Sequence, residues 1–199
     1  MTTREKIIKT AGKLFAQNGY DGTSIRAITS AANVNLGAVT YHFGSKLDLF
    51  GEIIQIKTAP LRALGKRVSE SCKGPEEKIK EMMAGFAMHV LHDDPDLKVY
   101  FAEVLSGGNR LPPGVDDSIK WRNDLFREIL EEGIRKDVFY KCDIENAPWC
   151  FFGMLSAYIL YQPLMGKKGR RGAYSEAYVR KIADYIYDVF MDGIRVRKK

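Results

Sequence analysis

Chemistry-bearing residues are scarce in this chain. Its 199 residues include three cysteines and three histidines. Cys72, Cys142 and Cys150 make an odd count without metal-ligand spacing, which fits a reduced, cytoplasmic protein better than a secreted one. There is no G-x-S-x-G elbow, no phosphate-cradling glycine loop and no pair of carboxylates on an identifiable face. An enzyme therefore has no residues to stand on, and no cofactor is implied. Strand-like alternation and internal repeats are missing too, which points to an all-α chain. No signal peptide is present: Met1–Lys6 runs straight into an amphipathic helix. One long stretch without charge exists, Asn146–Gly166, and the basic Lys167–Arg171 follows it as an anchor would. It carries Asn146, Pro148, Gln162 and Pro163, and no second such stretch accompanies it. The better reading is a helix buried all round inside a helical body, with no membrane span.

What the chain does have is ordinary for a globular protein, 45% hydrophobic and 28% charged residues. The net charge of +6 and pI of about 9.1 suit a nucleic-acid binder. Location weakens that inference. Lys167, Lys168, Arg170 and Arg171, with Arg195, Arg197, Lys198 and Lys199, already exceed the whole net charge. As a loop and a tail, these clusters read as solvated surface. Within residues 1–50, Arg4, Lys6, Lys9, Lys13, Arg26 and Lys46 face only Glu5, Asp21 and Asp48.

About nine helices can be read in order. Thr2 and Glu5 have capping-box spacing ahead of the stripe Ile7, Ile8, Ala11, Leu14 and Phe15. Asn18-Gly19 ends that helix, and Tyr20 packs back on it. From Ser45 a longer helix runs through Leu49, Phe50, Ile53 and Ile54 toward Cys72, with Pro60 expected to kink or split it. Pro75 starts the next helix, followed by acids in its first turn, and Asp93-Asp94-Pro95 ends it. A helix with Leu97 to Leu105, a Gly/Pro-rich loop at 106–114, a helix from Ile119 to about Lys136, the uncharged segment, and a last helix opened by Ser175 complete the set.

The chain is organised around Thr23–Leu49. Thr23 and Ser24 offer hydroxyls to cap a helix on which Ile25 and Ile28 share a face. Asn33 tolerates the left-handed conformation that stops it. Val34 returns to the core, and Asn35 can cap a second short helix with Val39 and Phe43 on one side. Gly44 breaks that helix, and Ser45 with Asp48 opens the next. Two short helices joined by a tight turn, the second exposing small, polar and aromatic residues, describe a helix-turn-helix.

With Val34, Gly37, Tyr41, His42, Phe43, Ser45, Lys46 and Leu49 at matching spacing, residues 4–55 resemble the DNA-binding domain of the TetR family of bacterial transcriptional regulators. The sequence departs from the family's pattern at Thr29, Asn33 and Thr40, where alanine, glycine and an aromatic residue are usual. The resemblance implies a helix-turn-helix head over 1–46 and a ligand-sensing, dimerising body over 47–199. It further implies a homodimeric repressor on a pseudo-palindromic double-stranded DNA operator. In the family, the last two helices of the body pair with their twins, and Trp149–Leu164 and Tyr178–Ile194 resemble them. The alternative from another class is a helical small-molecule-binding protein without operator-specific DNA binding.

Ten residues are expected at the DNA. Ser24 and Lys46 stand at helix starts, where N–H groups and charge meet phosphates. Arg26 suits a guanine edge. Asn35, Leu36, Gly37 and Ala38 enter the groove first, Thr40 lies beside them, and Tyr41 with His42 matches the family's backbone-contacting aromatic pair. For the body, Met82, Phe86 and His89 form one helical stripe, Trp121 with Leu125 a second, and Trp149 with Phe152 a third. Their convergence would line a cavity for a small apolar or aromatic effector; the competing reading is a filled core. His89 and His92, three apart beside Asp93 and Asp94, have metal-ligand spacing, but a surface electrostatic feature explains them better and no metal is expected.

Overall fold

The computed structural model describes residues 1–91, 95–105, 108, 111, 115–161 and 174–195. Among them there are nine α-helices and no strand. They are α1 (Thr3–Asn18), α2 (Ile25–Ala32), α3 (Ala38–Phe43), α4 (Lys46–Ser69), α5 (Pro75–Leu91), α6 (Pro95–Leu105), α7 (Val115–Arg135), α8 (Ala147–Tyr161) and α9 (Glu176–Ile194). The expected all-α architecture, with an N-terminal helix-turn-helix and a helical body, is what forms. Residues His92, Asp93 and Asp94, most of the 106–114 loop, the end of the uncharged segment from Gln162 to Gly166, and both basic clusters apart from Arg195 lie outside the described residues.

Two compact units divide the chain, 1–59 with 94–117, and 60–93 with 118–199. The first contains the expected 1–46 head together with the start of α4 and all of α6. Its core is Ile7, Ala11 and Phe15 of α1, Ile28 of α2, Val39 of α3 and the Leu49, Phe50, Ile53 and Ile54 stripe of α4. α6 packs along α1 and contributes Tyr100. The rings of Phe15, Tyr20 and Phe50 sit mutually 5.2–5.6 Å apart, so the chain reversal after α1 is pinned from both sides.

In the second unit, α5 packs on α9 and on α8. Phe126 of α7, Phe151 and Phe152 of α8 and Phe190 of α9 form a connected aromatic core, with centroids 4.5–5.8 Å apart. Lys78, only 9% exposed, is neutralised by Glu132 at 3.0 Å. No described helix is long and apolar enough to cross a membrane.

Three local expectations give way. Pro60 does not split α4, which runs through it and continues to Ser69 rather than Cys72. Thr23 does not cap α2: its buried hydroxyl donates backward to Gly19 O at 2.8 Å and Leu14 O at 3.1 Å. And α8 is not buried all round. Phe151, Phe152 and Leu155 face the core, while Trp149, Gly153, Leu160 and Tyr161 are exposed on the other side.

Candidate nucleic-acid interface

The head's geometry follows from its capping residues. Ser24 Oγ accepts from Ala27 N at 3.1 Å and starts α2. Such a cap stabilises by about 1 kcal/mol. Asn33 ends α2 in the left-handed conformation, φ 52°, ψ 55°, which suits asparagine better than most non-glycine residues. The substitution of asparagine for the usual glycine therefore preserves the turn. Thr29, at a position where alanine is usual, buries its hydroxyl by donating to the carbonyls of Ile25 and Arg26. Asn35 accepts from Gly37 N at 2.8 Å, so it closes the turn between the helices. Helix α3 itself begins at Ala38, later than expected.

Val39 is fully buried and Phe43 packs against the same core, which fixes the roll of α3. The opposite side is left to solvent. Asn35, Leu36, Gly37, Thr40 and Tyr41 are all exposed, Leu36 by 51% and Tyr41 by 85%. Ser24 and Arg26 of α2 are exposed as well. Ala38 and His42 are half-buried, and the His42 ring lies edge-on to Tyr41 at 5.0 Å. Gly44, at φ 86°, turns the chain out of α3, a conformation that excludes most side chains. Ser45 and Asp48 then cap α4, with Asp48 N donating to Ser45 Oγ at 3.1 Å. Nearby, Arg4 pairs with Glu52 while its guanidinium lies over the Phe43 ring.

Lys46 departs from its expected place. Its ammonium does not extend from the start of α4 toward solvent. It donates to Tyr20 O at 2.9 Å and Thr23 O at 3.1 Å, and lies 4.1 Å from the centre of the Tyr20 ring. Both acceptors lie in the turn between α1 and α2, whose carbonyls thus hold the cation. Charge and position at a helix start gave no sign of that inward turn.

The expected effector residues divide. Met82, Phe86, Leu125 and Phe152 are buried, and the Phe86 and Phe152 rings meet at 4.9 Å. The Arg122 guanidinium, which the stripes did not include, lies 4.0 Å from the centre of the Phe152 ring and 5.2 Å from that of Phe86. It is oriented by donating to Asn123 Oδ1. His89 is half-buried on α5. Trp121 and Leu125 instead cover Gly65 of α4, where any side chain would collide with the indole. Trp149 stands apart, 56% exposed, because it lies on the outer side of α8. A cavity of about 360 Å³ opens beside Leu125, lined among others by Ser69, Lys78, Glu128, Glu132 and Arg135, and so rimmed by charges of both signs.

Among the described residues no group of three or more histidine, cysteine, aspartate or glutamate side chains is placed to hold a metal ion.

Residues 7–53 match the model of the bacterial regulatory proteins of the tetR family. Over 135 residues the chain is 26% identical to the transcriptional repressor AcnR of Corynebacterium efficiens, covering 68% of this chain and 63% of that protein. It is 34% identical over 90 residues to the transcriptional regulator AcrR of Shigella flexneri, covering 45% of this chain and 40% of that one. The matched segments thus span 40–63% of the length of these two curated relatives. A crystal structure of the TetR-family regulator PfmR from Thermus thermophilus superimposes with a TM-score of 0.71 at 25% identity, covering 92% of this chain and 97% of that one.

Proposed function

We propose that this chain, whose residues 7–53 match the model of the tetR family of bacterial regulatory proteins, is a homodimeric transcriptional repressor released from its operator by a small effector. The observation that carries the reading is the outer side of the turn and α3. Leu36 and Tyr41 are among the most exposed apolar side chains of the protein, beside Gly37 and Thr40, on a helix whose roll is fixed by buried Val39. Folding gains nothing from such a surface, whereas a major groove accepts a short helix with small and aromatic residues at its entry.

In this reading Asn35, Leu36, Gly37 and Ala38 enter the groove, and Thr40, Tyr41 and His42 set the helix against the backbone. Ser24 and Arg26 approach from α2. Ser24 presents an N-cap to phosphate, and Arg26 reads a base edge. A single short helix has too small a footprint for specific binding, which calls for two heads on two half-sites. The outer sides of α8 and α9 support a two-fold pairing. Trp149, Leu160, Tyr161, Tyr178, Tyr185 and Val189 are exposed there, an apolar surface a lone protomer leaves in water.

The effector would act on the body by population shift: a ligand preferring the form with separated heads lowers DNA affinity by no more than its differential affinity. Phe86 and Phe152 with Arg122 favour an aromatic or apolar compound with a polar handle. The reading assigns no catalytic role.

The test is a selection of duplexes by the purified protein from a random pool, followed by mobility shift. Enrichment of a pseudo-palindrome bound by two protomers, and its release by a hydrophobic compound that also raises thermal stability, is the expected result. Compounds that stabilise the protein while no duplex is enriched would instead support a small-molecule-binding protein without operator binding.

A further inference from the structure

The helix-turn-helix occupies residues 24–44, and the residues flanking it on either side are joined by one side chain. Lys46 follows the α3–α4 corner, and its Nζ donates to the carbonyl of Thr23, the residue just before the α2 cap, at 3.1 Å, and to that of Tyr20 at 2.9 Å. Tyr20 O also accepts from Thr23 N, and the Thr23 hydroxyl is bound to the end of α1. The Tyr20 ring beneath the ammonium is itself gripped between Phe15 and Phe50. Two charge-assisted bonds therefore close the DNA-binding segment into a ring, anchored on the aromatic core of the head.

We propose that Lys46 is a positioning residue for DNA recognition, a clasp fixing where α2 begins relative to where α3 ends, and not a phosphate ligand. The inference rests on the DNA-binding reading above. Its physical basis is that two backbone carbonyls of the α1–α2 turn and the face of the Tyr20 ring hold the cation without any nucleic acid present. Turning Lys46 outward to a phosphate would forfeit both bonds and the ring contact, and leave the carbonyls to find water.

Replacing Lys46 with methionine keeps the apolar stem over Tyr20 and removes the donors. For Lys46→Met, affinity for a duplex selected by the unmodified protein is expected to fall about tenfold or more. The slope of log affinity against log salt should stay unchanged, and affinity for an unrelated duplex should hardly move. A phosphate contact predicts the reverse: the slope falls by about 0.9 and both duplexes lose affinity together. That result, or full retention of specific affinity, overturns the proposal.

A second reading needs no DNA. In Lys46→Met the amides of Thr23, Ala27 and Ile28 should exchange with solvent faster while those of mid-α1 do not; unchanged exchange at the three overturns the clasp. If the unmodified protein enriches no duplex, the DNA reading fails and this exchange result alone judges the clasp. If Lys46→Met does not fold, the nitrogen-15 spectrum of the Lys46 ammonium in the unmodified protein decides: slowly exchanging protons support the clasp, and a freely exchanging ammonium refutes it.

Discussion

The ring of Phe139 occupies the space a side chain at Gly133 would need. A methyl group at that position would overlap three atoms of the ring. Phe139 is itself buried, and its backbone pairs with Arg195 just after α9, so the ring has no room to retreat. Gly133→Ala should cost about 1–3 kcal/mol through overpacking, despite the higher helix propensity of alanine. Denaturant melts of Gly133→Ala, Phe139→Leu and the double variant test this. The two single costs should not add, because trimming the ring relieves the collision.

Thr23→Val keeps shape and removes the hydroxyl that donates to Gly19 O and Leu14 O. We expect a loss of about 1–2 kcal/mol, since the site is buried and two carbonyls lose their donor. Ser24→Ala should cost about 1 kcal/mol by loss of the α2 cap. Thermal unfolding followed by circular dichroism separates these from the wild type; equal stability of Thr23→Val would show that the hydroxyl contributes nothing.

Two neighbouring residues on α9 should respond oppositely to a charge. Tyr185 is 65% exposed and Ile186 is 3% exposed. Tyr185→Glu is expected to give folded monomers, whereas Ile186→Glu should unfold the body by burying an unpaired carboxylate. Ile186 is thus no probe of dimerisation, although sequence position alone places it on the pairing helix. Sedimentation of Tyr185→Glu at micromolar concentration is the check, and an unchanged dimer would move the interface elsewhere.

The Glu132 carboxyl is held below the usual glutamate range, first by its hydrogen bond to Lys136 and then by that to Lys78. A lowered folded-state value means a contribution to stability that is fully present above the unfolded value and fades as pH falls through the folded one. Acidification through the carboxylate range should therefore destabilise the body, and Glu132→Gln should flatten part of that dependence. Lys136 is well exposed, so Lys136→Ala should cost under about 1 kcal/mol. Removing Glu132 should cost more, because it strands the buried Lys78 ammonium. Urea melts at several pH values measure both.

At the proposed DNA surface, Arg26→Ala should relax preference at one base position by roughly 1–3 kcal/mol. Equal losses on selected and random duplexes would remove its base-reading role.

Much of this molecule can be read from local chemistry. The Thr2–Glu5 box, the Ser24 cap, Asn33 in the left-handed region, the Ser45–Asp48 pair and the Ser175 cap all form where spacing places them. Such bonds reach three or four residues, and a sequence displays them directly. Contacts that span the chain were not legible. Lys46 turns inward over 23–26 residues of separation, and Glu76 meets Arg195 across 119. Helical spacing placed Trp149 and Phe152 in one stripe, yet the first is exposed and the second buried, because an all-apolar helix does not reveal which side faces its neighbours.

The head borrows a helix from far downstream: Tyr100 of α6 completes the core begun by Ile7 and Phe15. During synthesis, α1 to the first half of α4 leave the ribosome well before that helix does. At roughly 5–20 residues per second, the gap between Ile54 and Tyr100 lasts about 2–10 s. For that interval the nascent recognition segment stands on an unfinished core, and a gene fragment cut after Ala59 would leave it so for good.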